Sequence, residues 1–178
     1  MKTPHTGRRR LRRSLTLVVL TGAAALAIAS SASAGLVSGT QTLVDQAAGK
    51  YEMQGDLVGE FRITSFTEIA TEPVLQAEGT EKFKGCLDKN GNGSCGGKDP
   101  SGKLFFSFRY WAQLAPNGEL ELATCSHPVT GGKGDFKRTK GFLMFVDTPT
   151  TTEPFVSTEY EGFLSRKKRR SSHARMGC

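Results

Sequence analysis

From residue 55 onward, apolar and polar residues alternate with a period of two, and Gly, Asn, Asp and Pro interrupt the alternation at short intervals. Residues 104–114 form the longest such run. Leu104, Phe106, Phe108, Tyr110, Ala112 and Leu114 fall on one side, with Phe105, Ser107, Arg109, Trp111 and Gln113 on the other. Successive side chains of a strand point to opposite faces, so this pattern predicts a strand with one buried face. Residues 57–66 place Leu57, Gly59, Phe61 and Ile63 in one phase. Further strands are predicted over 68–76, 80–87, 119–127, 141–147 and 155–164, with turns at 116–118 and 130–135. Nothing after residue 55 has a helical period, and 43–51 offers one short helical turn. About seven antiparallel strands at this spacing fit either a sandwich or a closed barrel.

Charge divides the chain into three parts. Residues 1–34 carry six Lys and Arg and no acid, and residues 166–178 carry another six and no acid. Residues 35–165 hold all 17 Asp and Glu against the remaining 12 of the 24 basic residues. The folded part is therefore acidic, which argues against nucleic-acid binding through it. Residues 1–34 read as a secretory signal peptide. An Arg-rich start is followed by an apolar run over 15–29 and by Ala32-Ser33-Ala34, the small-residue form a signal peptidase accepts. That run is too short to span a bilayer. Arg9-Arg10 and Arg12-Arg13 leave the general and twin-arginine export routes both open. The predicted organisation is a leader over 1–34, a partly flexible segment over 35–54, a β domain over 55–165 and a disordered basic tail over 166–178.

Export permits disulfides, and Cys86 and Cys95 bracket a Gly- and Asn-rich loop between two predicted strands, where they can pair. Cys125 and Cys178 are then left over, and either can stay free. The same loop reads D-x-N-x-N-G-x5-D, with Asp88, Asn90, Asn92 and Asp99 at places used by calcium ligands in a helix-flanked loop. Two readings stand side by side. One is a calcium site of weak affinity; the other is a hairpin tip whose Asn-Gly pairs supply positive φ.

Beyond that loop, residues 129–141 contain Gly131-Gly132-Lys133-Gly134-Asp135-Phe136, with Gly141 following. This run resembles the G-G-x-G-x-F…G signature of the allene oxide cyclase/dirigent β-barrels, in particular the secreted bacterial barrel-like members. Gly79-Thr80-Glu81-Lys82-Phe83, about fifty residues upstream, fits the same likeness. Lys133 and Lys140 depart from it. The resemblance implies an eight-stranded antiparallel barrel with an apolar cavity and a tendency to form dimers or trimers. It also implies a role like that of the plant relatives, which cyclise an unstable epoxide or steer radical coupling by holding a reactive guest in one shape. It transfers no catalytic residue. On physical grounds, the three glycines permit a tight turn, after which Phe136 can plug the barrel end.

No hydrolase, metalloprotease or nucleotide-loop motif is present. The polar and aromatic residues proposed to line a cavity are Glu60, Arg62, Arg109, Tyr110 and Tyr160, with His127 and Trp111 beside them. Cys125 and His127 share a phase, as a thiol–imidazole pair or a soft metal site would require. Two functions are thus expected from the residues and the resemblance together. One is a secreted barrel that holds a small apolar or aromatic ligand, with cyclase-like, isomerase-like or coupling-guide activity. The other is a non-catalytic secreted binding or structural protein, stabilised by calcium if the loop binds it.

Overall fold

A computed structural model describes residues 34–71, 74–152 and 156–166. All but the last residue of the predicted leader, all but the first residue of the basic tail, and with the tail His173 and Cys178, lie outside the described residues. The described chain is all β. Its strands are β1 (Ala34–Asp45), β2 (Lys50–Gly55), β3 (Leu57–Ala70), β4 (Val74–Leu87), β5 (Ser101–Leu114), β6 (Leu120–Gly134), β7 (Lys140–Pro149) and β8 (Val156–Ser165). Each pairs antiparallel with the next, and β8 returns to β1, so the sheet closes into an eight-stranded up-and-down barrel. Closure leaves no unpaired edge. Among the described residues there is no helix long and apolar enough to cross a membrane.

Three sequence expectations are corrected. Residues 35–54 are not a flexible prelude; they supply β1 and β2, without which the barrel would not close. Residues 43–51 form no helical turn. They hold the β1–β2 hairpin, in which the Asp45 carboxylate accepts the Ala48 N–H at 3.0 Å. The predicted strands 57–66 and 68–76 are really one long β3 and the start of β4, because the reversal falls after Ala70. Bulges explain that error. Between Ile63 and Ser65, β3 has one residue more than β4, so Phe66 faces Gly79 on the inner side. Strict alternation from Ile63 would have put Ser65 there. An extra residue shifts the phase of everything after it.

The barrel has two unlike ends. Strands β2–β3, β4–β5 and β6–β7 connect at one, β1–β2, β3–β4, β5–β6 and β7–β8 at the other. At the first, Gly59, Gly85, Gly102 and Gly134 pair across four consecutive strands. A Cβ added to Gly59 would meet the Lys84 carbonyl oxygen at 2.4 Å, so this row lets the wall draw inward. Beneath it, Phe136 reaches in from the β6–β7 connection and is fully buried, its ring 6.2 Å from that of Phe83. Met53, Leu57, Leu104 and Leu164 complete an apolar plug. Over the same end lies the β4–β5 loop, stapled by the expected Cys86–Cys95 disulfide.

Candidate functional site

The other end is open. The inward phases of the strands meet there around a cavity of about 460 Å³, walled by Tyr51, Ile63, Phe66, Phe108, Tyr110 and Phe145 among others. Its polar groups include Gln41, Glu81, Cys125, His127, Asp147 and Thr158. Such a volume falls in the range of small-molecule sites, which are mostly apolar with a few placed polar groups.

His127 is the centre of the cavity floor. It is buried, and four phenylalanine rings surround it: Phe145 at 4.1 Å between centroids, Phe61 at 5.9 Å, Phe108 at 6.2 Å and Phe106 at 6.3 Å. Nδ1 lies 3.1 Å from the Cys125 carbonyl oxygen, which can only accept, so that nitrogen carries a proton. Nε2 lies 2.8 Å from Glu81 Oε2, and Glu81 is itself only 6% exposed. The contact is close but poorly aimed, and Oε2 has no well-directed hydrogen-bond donor in the protein.

Asp147 sits nearby in the inward phase of β7 and accepts the Thr158 hydroxyl at 2.6 Å. Burial raises its carboxyl above the ordinary value; the Thr158 hydrogen bond and the proximity of His127 offset this in part. Burial and the neighbouring Asp147 carboxylate push the Tyr110 phenol up to about 12, and the Tyr51 phenol is raised by burial, Asp147 and Glu81. Both phenols stay protonated near neutral pH and can donate to a guest. The Cys125 thiol is pushed up, chiefly by burial, and is a wall group rather than a nucleophile. Among the described residues, no three His, Cys, Asp or Glu side chains converge as metal ligands, and Cys125 with His127 has no third partner.

Several residues expected at the site stand elsewhere. Glu60 and Arg62 lie on the outer face of β3, in ion pairs linking Lys50, Glu60 and Arg62; the Lys50 contact holds the Glu60 carboxyl below its usual range. Arg109 is also outside, 3.3 Å from Glu78. Tyr110 does line the cavity, whereas Trp111 points outward from the next position. Tyr160 belongs to the closed half. Its hydroxyl accepts the Leu57 N–H at 2.9 Å and faces the Gln54 carbonyl at 3.2 Å, with burial raising it to about 12. Gly131, Gly132 and Gly134 are not in a turn but in the last residues of β6, and the turn expected over 130–135 falls at 135–138, where Phe136 lies at the plugged end; a Cβ on Gly132 would strike the Phe136 carbonyl at 2.2 Å.

The β4–β5 loop is closed on itself. Asp88 accepts the N–H groups of Asn90, Gly91 and Gly93 at 3.0, 2.9 and 2.7 Å. Its enclosure by the loop raises the carboxyl, and these backbone donors outweigh that and lower it. Asp99 accepts from Lys89 and Gly96, and Asn92 turns its oxygen to Ser94. Of the four residues read as calcium ligands, Asp88, Asn90, Asn92 and Asp99, three, Asp88, Asn92 and Asp99, are thus engaged by the loop's own backbone N–H groups. The Asp and Asn92 oxygens hold the turns of the loop.

The sequence reading missed Tyr51, Glu81 and Asp147. Their signal was present. Glu81 shares a phase with Ala77 and Phe83, Asp147 with Leu143 and Phe145, and Tyr51 with Met53. A polar residue in an apolar phase is the mark of a cavity wall, whereas Glu60, Arg62 and Arg109 were in the opposite phase. In comparison with known proteins, no family model, no curated protein and no solved structure matches the chain.

Proposed function

We propose that this chain is an exported barrel that takes one small apolar or aromatic molecule into its open end. The observation that carries the reading is the unfilled aromatic cavity with a buried Glu81–His127 contact on its floor. A barrel built for stability alone would fill that volume, because each void costs packing energy. The disulfide and the leader-like start support export. The likeness of residues 129–141 to the allene oxide cyclase/dirigent barrels supports the same kind of guest and the same mode of action, confinement in one shape. The acid–base pair favours proton transfer on the guest, an isomerase- or cyclase-like step, over passive storage. Either the Glu81 carboxyl group or the His127 imidazole can pass a proton to, or take one from, a guest resting on the floor.

The test is a titration with Nile red, a neutral apolar dye, followed by its fluorescence. One dye per chain should bind, and Gln41→Trp, which fills the cavity, should weaken binding by at least about tenfold. Dye binding that Gln41→Trp leaves unchanged would place the guest elsewhere and end the proposal.

A further inference from the structure

Which guest the cavity takes is written in its charges. No Lys or Arg lines it, while two carboxyl groups, Glu81 and Asp147, do. His127 is already engaged by Glu81, so it offers little to an incoming anion. The rim repeats the bias. Residues 43–50, 66–71, 74–76, 113–121, 148–152 and 156–157, which surround the mouth, include Asp45, Glu68, Glu119 and Glu121 against one base, Lys50, which pairs with Glu60. The far end is the reverse: residues 55–57, 87–103, 133–140 and 164–166 hold eight Lys and Arg against four Asp. The barrel is electrically polar along its axis, with the negative pole at the mouth.

Taking the ligand-holding function above as given, we propose that the cavity selects organic amines: molecules with an apolar or aromatic body and one ammonium group. Three features favour a cation over a neutral or acidic guest. The acidic rim raises the local concentration of cations and repels anions. Inside, the faces of Phe66, Phe108 and Phe145 and of the two phenols suit a positive charge. Glu81 Oε2 is buried without a well-directed donor, and an ammonium N–H supplies one. An ammonium beside Asp147 would also restore the ionised form that burial disfavours. A carboxylate guest meets none of these conditions.

Three probes that share one phenylbutyl body separate the possibilities: phenylbutylamine, phenylbutanol and phenylbutyrate, titrated calorimetrically into the full chain near neutral pH. The amine should bind about tenfold more tightly than the alcohol, and the acid should bind least. Asp147→Asn should bring the amine to within about twofold of the alcohol, both measured on that variant. If that variant does not fold, Glu81→Gln serves in its place. Rising salt should weaken the amine alone. An alcohol that matches the amine, an acid that binds best, or an amine preference intact in Asp147→Asn overturns the amine assignment and leaves the ligand-holding reading standing. Nile red binding without binding of any of the three also overturns it. Failure of Nile red together with all three sinks both.

Discussion

The two ends of this barrel are made from the same strands and the same alternation, yet one is filled and the other hollow. At the closed end the inward phase is Met53, Leu57, Phe83, Leu104, Phe136 and Leu164, every one buried. A glycine row lets the wall approach, and a disulfide-stapled loop covers it. At the open end the same phase reads Tyr51, Glu81, Tyr110, Asp147 and Thr158, and about 460 Å³ is left empty. The closed end is where side chains fit each other; the open end is where they wait for something else. Stability should therefore be concentrated at one end and function at the other, the usual division when a site costs its fold some packing.

The sharpest way to break this contrast is to remove one phenylalanine from each end. Phe136→Ala takes a fully buried ring out of a close-packed plug and should cost about 3–5 kcal/mol in urea unfolding. Phe108→Ala removes a ring that already borders empty space, and should cost roughly 2 kcal/mol or less. Equal losses would mean that the cavity is filled in solution and the two ends are alike. Next in size is the staple. Replacing both Cys86 and Cys95 with Ser should lower stability by roughly 2–3 kcal/mol through loop-closure entropy. Nile red affinity should stay the same, because the crosslink is at the far end from the mouth. A parallel loss of dye binding would show that the ends are coupled.

Most of the closed half was legible in the sequence. The alternation in 104–114 located β5 and its buried face, and the Cys spacing located the disulfide. The likeness of 129–141 pointed to eight strands in a closed barrel, the count that the structure has. The open half was less legible, for two physical reasons. Polar wall residues such as Glu81 look in isolation like solvent-facing ones, and only their phase relative to Phe83 and Ala77 distinguishes them. Bulges then shift that phase without any sequence mark as plain as a Gly-Pro turn, as β3 does around Thr64. The first two strands were obscured because the apolar residues of 35–54 do not mark one buried face: Leu36, Leu43 and Val44 are exposed, and Val37 and Met53 are the segment's main core contributions.

Asp147 gives a smaller effect with a definite sign. Burial raises its carboxyl in the folded state above the ordinary 3.8, so the folded protein holds that proton more tightly than the unfolded chain. Stability must then fall as pH rises from the ordinary carboxylate range through the raised folded value, and the penalty is complete above it. Asp147→Asn keeps an oxygen for the Thr158 hydroxyl but removes the charge. It should stabilise the protein at high pH, and the gain should shrink towards zero as pH drops below about 4. Melting curves for the two proteins across pH would check this. A variant less stable at every pH would mean that the carboxylate is well paired, and the open end would lose its claim to be the site that costs stability.

The smallest expected effect is that of calcium, and it tests whether the loop over the closed end is structural or a site. A cation there would need the Asp88 and Asp99 oxygens together, but these oxygens already accept five backbone N–H groups between them, and such donors favour negative charge at the place they point to. Asn92 is turned to Ser94, and reorienting it would undo the turn that carries Cys95 towards Cys86. Millimolar calcium chloride should therefore move the melting temperature by less than about 1 °C, with or without Asp88→Ala, although that variant should itself lower stability by about 1 kcal/mol through the lost turn contacts. A rise of several degrees that Asp88→Ala abolishes would show that the loop rearranges around the ion. The closed end would then carry a site of its own.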